Sequence, residues 1–198
     1  MTIKLIHSAT LMFCMAVAGC SSTGNSGGST GPNVSQAWLD SQEAALRTAM
    51  AGSSFTLSRT DNALVVTAPA DATFNADRPD MLLPASLKPI TTVAKHVGGD
   101  AEAGVLILGH LDNTLNNEAA AKLSQSRARA VASIFRLSGL KHDRLQALGL
   151  GGVQPVASND SAAGRASNRR VEILVTQQKA LTAVAADYRA SATKLAAK

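Results

Sequence analysis

The spacing of apolar residues predicts strands and helices that alternate along most of the chain. "AGVLILGH", residues 103–110, is short and almost wholly apolar, which is typical of a strand buried on both faces. "NRRVEILVT", residues 168–176, places Val171, Ile173 and Val175 on one face of a strand. Two further runs, "SFTLSR" and "ALVVTAP", predict shorter strands that flank a turn and form a hairpin, and "RLQALGLGG" predicts a short strand or an extended turn.

Helical periodicity predicts four helices around these strands, at about residues 35–50, 85–98, 117–137 and 177–198. Ser35 is a suitable N-cap for the first helix, and Gly139 ends the third. Pro89 lies near the first turn of the second helix, where proline is tolerated. Strands that alternate with helices predict an α/β (α+β) sandwich in which helices pack on a mixed sheet.

Arg127 is a charged residue on the apolar face of the third helix. Leu123, Val131 and Ile134 recur at the spacing that lines one face of a helix. Arg127 lies four residues from Leu123 and four from Val131, so it falls on the same face. Because a charge on a core-facing position is costly, this guanidinium must be paired or must line a pocket.

Asp112 directly follows the buried strand, at the end of the sheet where α/β proteins gather ligand-binding groups. The next loop leads to the helix of Arg127, so a carboxylate and a guanidinium can converge at one edge of the sheet. Together they complement the free ammonium and carboxylate of an amino acid. Asp112 and Arg127 can also pair with each other as a structural ion pair. The residues alone leave both interpretations open.

The remaining polar residues show no catalytic or metal-binding pattern. His110 and Asp112 offer two metal-type ligands without a third nearby, and Ser124 has no His or Lys base at motif spacing. The net charge of +5 is spread among interspersed acids and bases, and aromatic residues make up only 3% of the chain. This distribution argues against nucleic-acid binding. We therefore expect no metal, no cofactor and no nucleic-acid partner.

The N-terminus has the pattern of an export signal. Its apolar run, residues 11–18, is too short to cross a bilayer as a helix. "VAGC" ends at Cys20 and resembles a bacterial lipobox, so we expect a signal peptide at residues 1–19 and a lipidated Cys20. The alternative is an ordinary secretory signal with a chance cysteine. Residues 20–34, rich in Gly and Ser, predict a flexible linker. Ser21 follows the cysteine, and the absence of Asp there suggests the outer membrane by resemblance to other lipoproteins.

Four motifs in order resemble the OmpA-like peptidoglycan-binding domain: "ILGHLDN", "LSQSRARAV", "LGLGGVQPVASND" and "GRASNRRVEI". The resemblance covers residues 63–176 and implies a βαβαβ-type mixed sheet with helices packed on it. Residues 35–62 then form an N-terminal helix and the first hairpin strand, and residues 177–198 form a C-terminal helix.

The resemblance also implies a ligand. In this family the strand-end Asp and the helix Arg hold the free amino and carboxylate groups of meso-diaminopimelate in the peptidoglycan stem peptide, and the matching positions are Asp112 and Arg127. Further candidates for contact with this ligand are Phe74, Asp77, Asn113, Arg169 and Arg170. For Arg169 and Arg170, a structural role in bracing the sheet is the alternative. No catalytic role is implied.

The chain departs from the family pattern at three positions close to these residues. The family usually has "HTDNTG", where this chain has Leu111 and Leu115 in place of Thr and Gly. Ala120 stands where the family often has an Asn that adds a polar contact, and Asn116 or Asn117 are candidates to replace it. These departures bear on ligand affinity rather than on the fold.

The resemblance implies a non-enzymatic tether, with its lipid in the outer membrane and its domain facing the periplasm and bound to peptidoglycan. The alternative is a signalling or assembly partner that docks another periplasmic protein through the helix at 35–50 or the helix at 177–198. Both helices can instead cover hydrophobic edges of the same domain. An enzyme acting on peptidoglycan is disfavoured because no carboxylate pair has a suitable acid/base arrangement.

Overall fold

The computed structural model describes residues 33–196. The predicted signal peptide, Cys20 and residues 21–32 of the linker lie outside the described residues. The described α-helices and strands, in chain order, are α1 Gln36–Ala49, β1 Thr56–Arg59, β2 Leu64–Pro69, α2 Ala70–Thr73, α3 Pro84–Gly99, β3 Ala103–His110, α4 Asn117–Leu137, β4 Leu145–Gly149, α5 Ala162–Asn168, β5 Arg170–Gln177 and α6 Gln178–Ala196. None of the helices in this part of the chain is both long and apolar enough to cross a membrane.

The strands form one mixed sheet in the order β1-β2-β5-β3-β4. β3 and β4 run parallel, and the other neighbouring strands run antiparallel. Every residue of β3 is buried, as expected for a strand with both faces covered. The mixed sheet with packed helices confirms the fold class that the sequence predicts.

Different helices cover the two faces of the sheet. A Cβ on Gly109 of β3 would clash with the backbone of Ser124 in α4. A Cβ on Gly104, five residues earlier in the same strand, would instead lie 3.3 Å from the Cβ of Leu181 in α6. Because alternate residues of a strand point to opposite faces, α4 and α6 pack on opposite sides of β3. α3 packs against α4, and α1 packs against α3.

The predicted helices and strands are present, with two differences of detail. Ser35 caps α1 by accepting a hydrogen bond from the amide of Trp38. Pro89 is the sixth residue of α3, because this helix begins at Pro84, so it lies in the second turn rather than the first. The helix α5 is not among the elements that the sequence predicts, since its seven residues are too few to show a helical period.

Two glycines bring α4 close to the sheet. Gly109 and Gly149 are partners in the β3–β4 ladder, and a Cβ at either would overlap the backbone of Ser124 or Gln125. The Gln125 side chain bonds to the edge strand β4, accepting from the amide of Gly149 at 2.8 Å and donating to the carbonyl of Ala147 at 3.2 Å. These contacts fix the segment of α4 that immediately precedes Arg127.

Candidate functional site

Arg127 is buried but lacks a full set of partners. Its side chain is 7% exposed, and its Nε donates one hydrogen bond, to the carbonyl of Pro79 at 2.6 Å. The guanidinium carbon lies 5.0 Å from the centroid of the Phe74 ring, within the range of a cation–π contact. Nη1 is buried and has no hydrogen-bond partner in the described part of the chain. Burial lowers the pKa of Arg127, and an unpaired buried donor of this kind is costly unless a ligand satisfies it.

Asp112 is an ionised carboxylate at the end of β3. It is 2% exposed and accepts hydrogen bonds from the amide of Thr114 at 3.1 Å and from its Oγ1 at 2.5 Å. Nη1 of Arg169 donates to its other oxygen at 2.7 Å. Burial by itself would raise the pKa of Asp112, but the bonds from Thr114 and Arg169 outweigh it and hold that pKa below its usual range.

The structure does not contain the ion pair between Asp112 and Arg127 that the sequence left open. Asp112 pairs with Arg169 instead, and within residues 33–196 no carboxylate oxygen lies within 4.0 Å of the Arg127 guanidinium. Arg127 therefore points inward for a reason other than pairing with Asp112.

Arg169 links two carboxylates. Its Nε and Nη2 donate to the two oxygens of Asp71 at 3.1 and 2.7 Å, while Nη1 donates to Asp112. The hydrogen bonds that Arg169 donates to Asp71 and then to Asp112 raise its pKa. We call this chain of charges, Asp71–Arg169–Asp112, the acid–base–acid chain. Asp71 was not among the candidates, because it lies in the four-residue helix α2, which has no sequence signature.

The other candidates are distributed unevenly around this cluster. Phe74 is buried beneath Arg127. Asp77 and Asn113 are exposed on the two loops that lead to and from the cluster, and the amide of Asp77 donates to Asn75. The Pro79 carbonyl, which holds Nε of Arg127, was missed because a backbone acceptor leaves no trace in residue type.

Arg170 is not brought to the cluster. Its Nε donates to Glu172 at 2.7 Å, two residues along the same strand face, and Nε2 of His110 lies 3.5 Å from the same carboxylate. Burial would raise the pKa of Glu172, but His110 and Arg170 lower it to about 2. Arg170 therefore braces the sheet, which is the structural alternative that the sequence offered.

The departures from the family pattern have clear places in the structure. Ala120 is buried, and a Cβ at Gly151 would lie 3.6 Å from its methyl group. Asn116 caps α4 by accepting from the amide of Ala119 at 2.9 Å, so its oxygen is already used. Leu115 is 41% exposed on the loop after Asp112.

Comparison with known proteins gives consistent matches. The model of the OmpA family matches residues 73–169. The chain is 34% identical over 139 residues to the probable lipoprotein YiaD of Escherichia coli, covering 70% of this chain and 63% of that protein. It is 40% identical over 94 residues to the peptidoglycan-binding protein ArfA of Mycobacterium tuberculosis, covering 48% of this chain and 29% of that protein. The chain thus spans less than two thirds of the length of these relatives.

A solved structure extends the match to most of the described chain. The cell wall anchor of the T6SS from Pseudomonas aeruginosa superposes with a TM-score of 0.56 at 28% sequence identity. The superposition covers 74% of this chain and 98% of that structure.

Proposed function

The chain belongs to the OmpA family, and from this premise we propose that its domain binds peptidoglycan non-covalently through the diaminopimelate of the stem peptide. Two of the similar proteins carry names that support the proposal, a peptidoglycan-binding protein and a cell wall anchor. The domain acts in this proposal as a binding module rather than as an enzyme.

The observation that carries the proposal is the unpaired Nη1 of Arg127. Pro79 and Phe74 hold the guanidinium from its Nε side and from its face. The Nη1 group is left as a donor for a ligand. A carboxylate suits a guanidinium well, because it can accept two parallel hydrogen bonds. Diaminopimelate in the stem peptide carries a free carboxylate of this kind.

Asp112 supplies the complementary half of the site. An ionised carboxylate has about four acceptor positions, and Thr114 and Arg169 use three of those of Asp112. The remaining position can accept from the ammonium that stands on the same carbon as the free carboxylate of diaminopimelate. The two charges of the ligand then meet two charges of opposite sign.

The N-terminal anchor completes the proposed tether. In this proposal Cys20 carries lipid in the outer membrane, and residues 20–34 connect it to the domain in the periplasm. A chain of this length reaches at most about 50 Å when fully extended, at ~3.3–3.6 Å per residue. That reach suits a cell wall lying close beneath the membrane.

The alternative role, docking of another envelope protein through α1 or α6, remains a prediction. Leu39 and Leu46 of α1 and Leu181 of α6 are almost fully buried within the domain. Burying each such side chain contributes roughly 1.5–3 kcal/mol. This burial supports the interpretation that both helices cover hydrophobic surface of their own domain.

A pulldown on purified cell walls tests the proposal. The processed chain, from residue 20 onward with Cys20→Ser, is incubated with sacculi that contain diaminopimelate and with walls that contain lysine at that position. We expect retention on the first and weak retention on the second, because lysine lacks the carboxylate that Arg127 would bind. Equal retention on both walls would contradict the proposal.

A further inference from the structure

We propose that Asp71 makes this site select stem peptides whose diaminopimelate amine is free. Asp71 compensates the positive charge of Arg169. The negative charge of Asp112 then remains available to the ammonium of the ligand. The inference rests on the proposed function. It concerns a residue outside the Asp112–Arg127 pair, 41 positions before Asp112 in the chain.

The net charge beside the ligand ammonium depends on the three linked side chains of Asp71, Arg169 and Asp112. Arg169 and Asp112 alone would form a neutral pair, since they bond at 2.7 Å. A ligand ammonium would then meet little net charge. Asp71 bonds to the same guanidinium at 2.7 Å and adds a second negative charge. The acid–base–acid chain therefore keeps a net charge of about −1, which favours an ammonium at Asp112.

The geometry explains how Asp71 keeps its place. Its two oxygens accept from Nε and Nη2 of Arg169, the two-bond arrangement that orients a guanidinium most strongly. The amide of Ala70, the residue before Asp71, donates to the carbonyl of Arg169 at 2.9 Å. Pro69 and Arg170 are partners in the β2–β5 ladder. Backbone and side chain thus both hold Asp71 against Arg169, whose Nη1 is left for Asp112.

This arrangement distinguishes two forms of the stem peptide. In a stem that is not cross-linked through the amine of diaminopimelate, that amine is an ammonium. In a stem that is cross-linked or acetylated at this amine, the group is an uncharged amide. Only the ammonium gains from the net negative charge, because a charge-assisted hydrogen bond is stronger than a neutral one. Asp71 is therefore expected to raise the preference for the free amine without affecting the carboxylate side of the site.

The test compares two soluble muropeptides with stems that end in diaminopimelate, one with a free amine and one with that amine acetylated. Their affinities are measured by calorimetry for the processed Cys20→Ser chain and for the same chain with Asp71→Asn. The substitution keeps the shape of the side chain and removes its charge. We expect Asp71→Asn to weaken binding of the free-amine form about two- to fivefold, the scale of a partly exposed ion pair. Binding of the acetylated form should stay unchanged.

Asp187→Asn is the matched control. Asp187 is exposed on α6, so its substitution removes the same charge from the molecule at a distance from the site. The control should keep the wild-type ratio of the two affinities. If Asp71→Asn also keeps that ratio, or weakens both muropeptides equally, Asp71 does not set specificity and the inference is overturned.

A titration of Asp112 by carbon NMR, in the protein without ligand, separates this inference from the proposed function. In the Asp71→Asn chain the pKa of Asp112 should stay below its usual range, because Arg169 keeps its bond to Asp112. A rise to the usual range would mean that Arg169 has left Asp112, which would overturn the compensation argument. If the wild-type chain binds neither muropeptide, the proposed function fails and the selectivity fails with it, while the titration still decides whether the charge arrangement is as described.

Discussion

Replacing Arg127 by methionine should strongly weaken wall binding at little cost to stability. Arg127→Met keeps an unbranched side chain and removes the guanidinium. The protein loses the bond to Pro79, worth about 1.5–3 kcal/mol, and the contact with Phe74, worth about 0.5–2 kcal/mol. It gains relief of the unpaired Nη1, about 1–3 kcal/mol, and buries an apolar side chain. These contributions nearly cancel, so the free energy of unfolding should change by less than about 2 kcal/mol.

The same change should be large for the ligand. Loss of the charge-assisted contacts to a carboxylate costs about 2–4 kcal/mol, which corresponds to about 30- to 700-fold in affinity at ~1.4 kcal/mol per factor of ten. Urea unfolding measures the stability, and pulldown on diaminopimelate-containing sacculi measures the binding. Arg129→Met, at an exposed position on the same helix, is the control and should leave both unchanged.

Two results would refute this reasoning. A loss of more than about 3 kcal/mol in the free energy of unfolding would place Arg127 among structural buried charges, for which removal of a partner costs about 3–5 kcal/mol. Unchanged sacculus binding by a stable Arg127→Met protein would show that Arg127 does not bind the ligand carboxylate.

Four further outcomes can be measured with the same preparations. Binding to sacculi should fall on acidification, as the pH passes down through the lowered pKa of Asp112. Because the pKa of Asp112 is depressed in the folded state, the stability that this carboxylate contributes at neutral pH should be lost over the same pH range. Thr114→Val removes a hydrogen bond to Asp112 and should raise the pKa of that carboxyl, so sacculus binding should be lost at a higher pH than in the wild type. An unchanged midpoint of the pH titration of binding would contradict the assigned role of Thr114. Gly149→Ala should destabilise the fold by about 1–3 kcal/mol through overlap with α4, whereas Gly99→Ala, which has open space, should not, as thermal melts would show. Cys20→Ala should leave the protein as an uncleaved precursor that does not reach the outer membrane. Cell fractionation that finds both the wild type and the variant as soluble periplasmic protein would contradict lipidation.

Much of the fold was predictable because it rests on patterns that extend over many residues. The buried strand β3 has eight residues and the helix α4 has 21, so the apolar run of the first and the helical periodicity of the second extend over enough positions to be recognised in the sequence. The helix α5 has seven residues and α2 has four, fewer than the periodic signal requires. Elements of this length are determined by their contacts with the rest of the domain.

The candidate site was predictable only in part, for a related reason. Asp112 and Arg127 stand out because each is a charge next to a strongly apolar element. The partner of Asp112 is Arg169, 57 positions away, and no local pattern distinguishes it from the adjacent Arg170 as a partner. Asp71 reaches the cluster only through the β2–β5 pairing. Residue type marked Asp112 and Arg127 as candidates, whereas the tertiary fold determined which charges meet and brought in Asp71.

The contact of Gln125 with β4 also affects whether the edge of the sheet can pair with a strand of another molecule. β4 is an edge strand, and the amide of Leu150 faces β3 because it donates to Gly109. Neighbouring residues of a strand alternate in direction, so the amide of Gly149 and the carbonyl of Ala147 face away from the sheet. Gln125 occupies both with its side-chain amide. A strand from another molecule would have to displace this amide before it could pair there, so the side chain protects the edge from self-association and aggregation.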